Sequence, residues 1–214
     1  VPKPPRIDPL RLDDLADGDP DDLSPRADLE ATAYADLALP ALALRDARLD
    51  AVRLSQVAAD EADLRGVRLS EVDLDQVSLP VVRAARGDWR DVRVSGRLGS
   101  VEAYETQWRG VRFVGCKLSY LNLRGAELLD VGFTDCVIDE LDLMGATATR
   151  IAFTGCRVTH LSVQDATLTD VDLRGADLEV VDGLAGLRGA TVSDDQLTRL
   201  APLLAAHLGI MVDG

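Results

Sequence analysis

From Ala27 to Val180 the chain can be written in units of five residues. A small or aliphatic residue opens most units and a larger apolar residue stands third, as in ADLRG (62–66), VRFVG (111–115), VDLRG (171–175) and ADLEV (176–180). Thirty-one units fit, with a single residue missing from VRVS (92–95). Neither regular period explains this, since a helix face recurs near 3.6 residues and a simple strand alternates at 2. A period of five with apolar first and third positions turns two side chains inward, then turns a corner. Four such sides make a coil of twenty residues, and columns stand at that spacing: Phe113, Phe133 and Phe153; Val111, Val131, Ile151 and Val171; Cys116, Cys136 and Cys156. Trp89 and Trp108 are nineteen apart across the deletion and so share a column one coil apart, beside the small pair Ala84 and Ala103. Large residues next to small ones suit a close-packed interior.

These units resemble the pentapeptide-repeat proteins, a family with many bacterial members whose motif is roughly A(D/N)LXX. Only Asn122 supplies the Asn that the family often has in second position; Asp, Arg and Ala stand there elsewhere. The resemblance implies an all-β solenoid, a right-handed quadrilateral parallel β-helix. About eight coils stacked at ~4.8 Å make a rod of ~37 Å. Such coils bury apolar surface only against their neighbours, so the ends need covers.

Three segments follow: an N-terminal arm or cap over 1–26, the repeat over 27–180, and a C-terminal capping helix and tail over 181–214. The arm is rich in Pro and Asp and lacks the repeat. Near the other end, SDDQLTRLAPLLAAHLG reads as a helix. Ser193 and Gln196 form a capping box, Asp194 and Asp195 favour the helix N-terminus, and Gly209 is a natural C-cap. Pro202 predicts a kink or two short pieces. Leu197, Leu200, Leu204 and Leu208 form one stripe that covers the open end of the solenoid or, with Ile210, Met211 and Val212, supplies a homodimer contact.

Little in the chain suggests chemistry. The two histidines, His160 and His207, fall on an outward position and on the capping helix. No HExxH, phosphate loop, nucleophile elbow or CxxC is present. The cysteines open their units where Ala or Val stands elsewhere, so they read as small buried hydrophobes rather than metal ligands. We therefore expect no enzyme, no cofactor and no metal. No apolar run reaches the ~18 residues of a membrane span. No secretory signal is visible, and three reduced thiols fit a cytoplasmic protein.

A formal net charge of −14 argues against direct binding to nucleic acid or an anionic membrane and leaves a protein partner. The resemblance makes one partner concrete. Some pentapeptide-repeat proteins are similar to duplex DNA in width and charge and bind DNA gyrase or related type II topoisomerases such as topoisomerase IV, conferring resistance to quinolones or peptide toxins. The alternative is a scaffold with a different protein partner and no topoisomerase activity. Residues 27–95 hold 13 acidic and 9 basic residues and residues 96–180 hold 13 and 8, a net of −9. Duplex DNA carries roughly 22 charges over the same length. Columns such as Arg53, Asp73, Arg93 and Asp130, Arg150, Asp170 alternate in sign, which favours ion pairs between coils over a long-range field. The densest acidic candidates are Asp60, Glu61 and Asp63; Glu71, Asp73 and Asp75; and Asp139, Glu140 and Asp142. One unbroken acidic stripe from end to end would favour mimicry of DNA, and a checkerboard would sink it.

Overall fold

The computed structural model describes residues 1–211. The chain winds into a parallel β-solenoid of about nine turns closed by one C-terminal helix, α1 (Asp194–His207). It has one turn more than the repeat alone gives, because short strands outside the repeat extend the stack. Ala16–Asp17 pairs with Thr32 and Ala33, and Ala190–Thr191 pairs with Val171 and Asp172.

Pairing joins residues twenty apart, as in Phe113, Phe133 and Phe153, and nineteen apart across the deletion, as in Trp89 and Trp108. The four sides are numbered here from the units that begin at Ala47, Val52, Val57 and Ala62. Extended segments run from the first side to the second, as in Arg48–Ser55 and Glu127–Thr134. Others run from the third to the fourth, as in Ala58–Asp63 and Val137–Asp142.

The corners are made in two ways. Three of them place the fifth residue of the unit in the left-handed region. Between the first and second sides the non-glycine residues there, from Ala31 to Asp170, have φ of 50–59°. The corner between the third and fourth sides does not: none of Ala41, Glu61, Val81, Ser100, Tyr120, Glu140 and His160 has positive φ. Asp supplies many of the left-handed corners, a conformation this short polar side chain tolerates better than most.

First and third positions point inward and form one core from Leu29 to Leu200. Within it the Trp and Phe columns join. Trp89 stacks on Trp108 at 5.0 Å, Trp108 meets Phe113 at 5.5 Å, and Phe113, Phe133 and Phe153 stack at 5.1 and 4.9 Å. The Trp108–Phe113 contact crosses from the first side to the second, so five rings form one ladder. The missing residue interrupts no coil: Asp88–Glu102 is continuous strand, and the shift is absorbed between Leu74 and Val77 of the neighbouring coil. Ser95 fills that gap, accepting from the Gln76 amide at 2.8 Å and donating to Asp75 at 2.9 Å.

The C-terminal cover departs from the sequence expectation in two respects. Of the two outcomes expected at Pro202, division into two short pieces is not what the chain adopts, since α1 runs on through it. The buried face runs through Gln196, Leu200 and Leu204, while Leu197 and Leu208 point to solvent. Gln196 explains the rotation. Its Oε1 closes the capping box with the Ser193 amide, and its Nε2 donates to the carbonyls of Leu173 and Ala176, both at 2.7 Å. One side chain thus closes the capping box and reaches two carbonyls at the open end, that of Ala176 and that of Leu173, which also accepts from the Ala176 amide at 3.0 Å. Gln196→Ala should cost about 1–3 kcal/mol from the Ala176 carbonyl left unpaired and the lost half of the capping box. Hydrogen exchange should show the loss in α1 and the last coil, with the central coils unchanged.

Candidate interaction surfaces

The outward second, fourth and fifth positions carry the charge, and their ordering between coils is by ion pairing. Arg93 bonds Asp73 and Asp75, both at 3.0 Å, and Arg53 reaches Asp73 at 3.6 Å. Arg45 and Arg65 share Asp63 at 2.9 and 2.7 Å, Arg83 pairs with Glu61, and Arg124 holds the buried Asp142 at 2.6 Å. His160 meets Asp182 at 2.6 Å.

The nine acidic candidates therefore do not form one surface. Asp60, Glu61, Asp139 and Glu140 lie on the third side and its far corner, Asp63 and Asp142 on the fourth, Asp73 and Asp75 on the second, and Glu71 on the corner between first and second. Glu61, Asp63, Asp73, Asp75 and Asp142 are neutralised by arginine. Neighbours in sequence face different directions here; neighbours in space are a coil apart.

Read by coils, the acidic line is another one. Glu71, Asp91, Asp130 and Asp170 all occupy the corner between the first and second sides, interrupted by Gly110 and Arg150. The sequence reading singled out only Glu71 of these for a surface. Residues 1–12 lie along this corner as a strap running back from the last coils toward the first. The Lys3 amide donates to Asp170 at 3.2 Å, the Arg6 amide to Asp130 at 2.8 Å, and Arg112 donates to the Ile7 carbonyl at 3.1 Å. Leu12 is buried, Leu23 packs on the core, and Tyr34 closes the first coil. The N-terminal segment is thus a side strap followed by an end cover.

Asp130 is the strap's firmest anchor. Burial opposes its ionisation, but hydrogen bonds from Arg150, at 2.6 Å to each oxygen, and from the Arg6 amide hold its carboxyl below the usual carboxylate range. Asp91 moves the other way, pushed up by burial and by the facing Asp8. A depressed carboxyl stabilises the fold above its unfolded pKa, near 3.9, and that contribution is lost as pH falls through the lower folded value. The Arg6 amide resonance should therefore hold steady from pH 7 to about 4 and shift only below it. A midpoint above pH 5 would contradict the Asp130 bond.

The remaining candidates are internal or terminal. Cys116, Cys136 and Cys156 are free and buried. Thiol-to-thiol hydrogen bonding pushes Cys136 up to about 11 and Cys156 higher still, so both stay protonated near neutral pH. Among the described residues no cluster of His, Cys, Asp and Glu is arranged to hold a metal, and no helix is long and apolar enough to cross a membrane. At the C-terminal end Leu197, Leu203, Leu208, Ile210 and Met211 are exposed together with Val180; Met211 is 95% accessible. Val212 lies outside the described residues.

A family model for the pentapeptide repeat region matches residues 106–182, and one for pentapeptide repeats (8 copies) matches residues 44–79. No curated protein matches the sequence. Among solved structures, a trypsin-treated variant of QnrB1, a plasmid-mediated fluoroquinolone resistance protein, is 18% identical over 89% of this chain and 93% of its own, with a TM-score of 0.45. HetL, a pentapeptide repeat protein involved in heterocyst differentiation regulation in the cyanobacterium Nostoc sp., is 18% identical over 78% of this chain and 90% of its own, with a TM-score of 0.28. The five-residue repeat, the four-sided coil built on it and the two family models together place the chain in the pentapeptide-repeat family.

Proposed function

We propose that this chain is a non-catalytic protein-interaction module, a rigid rod that engages a protein partner along its outer surface and at its C-terminal end. The observation that carries this reading is the division of the molecule into a sealed apolar interior and an outer surface of ordered charge. The cysteines and aromatic rings are spent on packing, and the outward positions are left for recognition. DNA gyrase or topoisomerase IV is the most concrete partner, since the rod is slender and the chain carries a net charge of −14. The arginine-paired acids do not supply the unbroken acidic stripe that mimicry through a DNA-like field needs, so recognition on this reading rests on rod shape and discrete acidic contacts. A gyrase supercoiling assay with and without a quinolone tests it. At micromolar protein, inhibition of supercoiling or protection from the drug is expected; neither effect would remove the topoisomerase reading and leave a different protein partner.

The exposed apolar residues at the C-terminal end support pairing with a second copy through one self-complementary patch. Sedimentation velocity should show a dimer that Leu208→Glu converts to monomer. A monomeric wild-type chain at tens of micromolar would contradict this.

A further inference from the structure

We propose that the corner lined by Glu71, Asp91, Asp130 and Asp170 is a groove for an extended, basic, proline-spaced peptide, and that residues 1–12 are its tethered occupant, displaceable by such a segment of a partner protein. The strap shows what the groove accepts. In a chain of net charge −14, residues 1–12 carry Lys3, Arg6 and Arg11 against a single acid, Asp8. Pro2, Pro4, Pro5 and Pro9 hold the segment extended and remove amides that would otherwise need partners. The amides of Lys3 and Arg6 go to Asp170 and Asp130, and Arg112 takes the Ile7 carbonyl. Recognition therefore runs through backbone and charge, which another peptide of this kind supplies equally well. The one shaped seat is at Gly132, where a Cβ would stand 3.4 Å from the Ile7 side chain.

Two features make the occupant displaceable rather than integral. Residues 1–15 belong to no strand, so the strap can leave without breaking a ladder; the stack begins at Ala16–Asp17. The strap also sets Asp8 beside Asp91, the two carboxylates lining one shallow hollow with Ile7 and Leu10, a like-charge juxtaposition. A competing peptide with a neutral residue at that place lacks this repulsion. The tether gives the strap a high effective concentration, so a free peptide meets a mostly covered groove in the resting chain.

The test uses the full chain and a fluorescent peptide with the sequence of residues 1–12. Arg6→Glu with Ile7→Asp should free the strap, seen as fast amide exchange over residues 3–12 with the coils still protected. The peptide should then bind this chain at least tenfold more tightly than wild type. A peptide carrying Asp8→Asn should bind several-fold more tightly again. Adding Asp130→Asn, or Gly132→Val to fill the seat, should each cost tenfold or more. Binding that ignores both groove substitutions, or no binding up to millimolar peptide, would overturn the proposal. So would a strap that stays protected, or coils that unfold with its release, since either shows a structural brace.

Discussion

Phe133→Ala should destabilise the protein by about 3–5 kcal/mol. Phe133 is 2% exposed and stacks between Phe113 at 5.1 Å and Phe153 at 4.9 Å. Its truncation opens a void in a wall held at the fixed separation of paired coils, so the backbone cannot collapse into it as a loosely packed helix can. Phe133→Leu keeps most of the volume and should cost less than about half as much. Chemical denaturation followed by Trp89 and Trp108 fluorescence reads both, because the two indoles belong to the same ladder. A loss below about 1 kcal/mol for the alanine variant would mean that the ring stack is not a main element of the core.

Gly96→Ala should cost about 3 kcal/mol or more, although it adds one methyl group. Gly96 has φ of 122°, outside the left-handed region used at the other corners, and an added Cβ would lie 2.1 Å from the Val77 carbonyl oxygen. That neighbour is backbone of the adjacent coil and cannot swing aside. Gly175 approaches the Phe153 carbonyl as closely, so what sets Gly96 apart is the pairing of that approach with a φ no other corner uses, at the place where the residue is missing. Gly115→Ala is the control. Gly115 has φ of 60° with open space around its Cβ direction, so it should lose only the ~1–2 kcal/mol of a left-handed alanine. Equal losses at the two sites would show that the deletion is absorbed elsewhere.

The repeat made the solenoid legible because a five-residue period leaves few ways to bury its apolar positions. It also placed Phe113, Phe133 and Phe153 in one column and paired Trp89 with Trp108. What it did not convey was contact between columns: Trp108 and Phe113 are five residues apart on adjacent sides, and only the corner geometry brings their rings to 5.5 Å. Which acids share a face was not legible for a related reason. Asp60, Glu61 and Asp63 look dense in sequence, but the chain turns between them; Glu71 and Asp91, a coil apart, are the true neighbours on a corner. The strap has no period, and its anchors lie 124 and 167 residues away, so nothing local announces them. At the lid, a buried Gln196 broke the apolar pattern and shifted the expected stripe by one residue to Leu197.

The proposal that the outer surface recognises a type II topoisomerase is tested most directly by binding to purified DNA gyrase in the absence of drug. Titration of the full chain into the enzyme, read by calorimetry or sedimentation, should give a complex at micromolar concentration that duplex DNA displaces. No complex at tens of micromolar, or a complex indifferent to DNA, would contradict that reading of the rod.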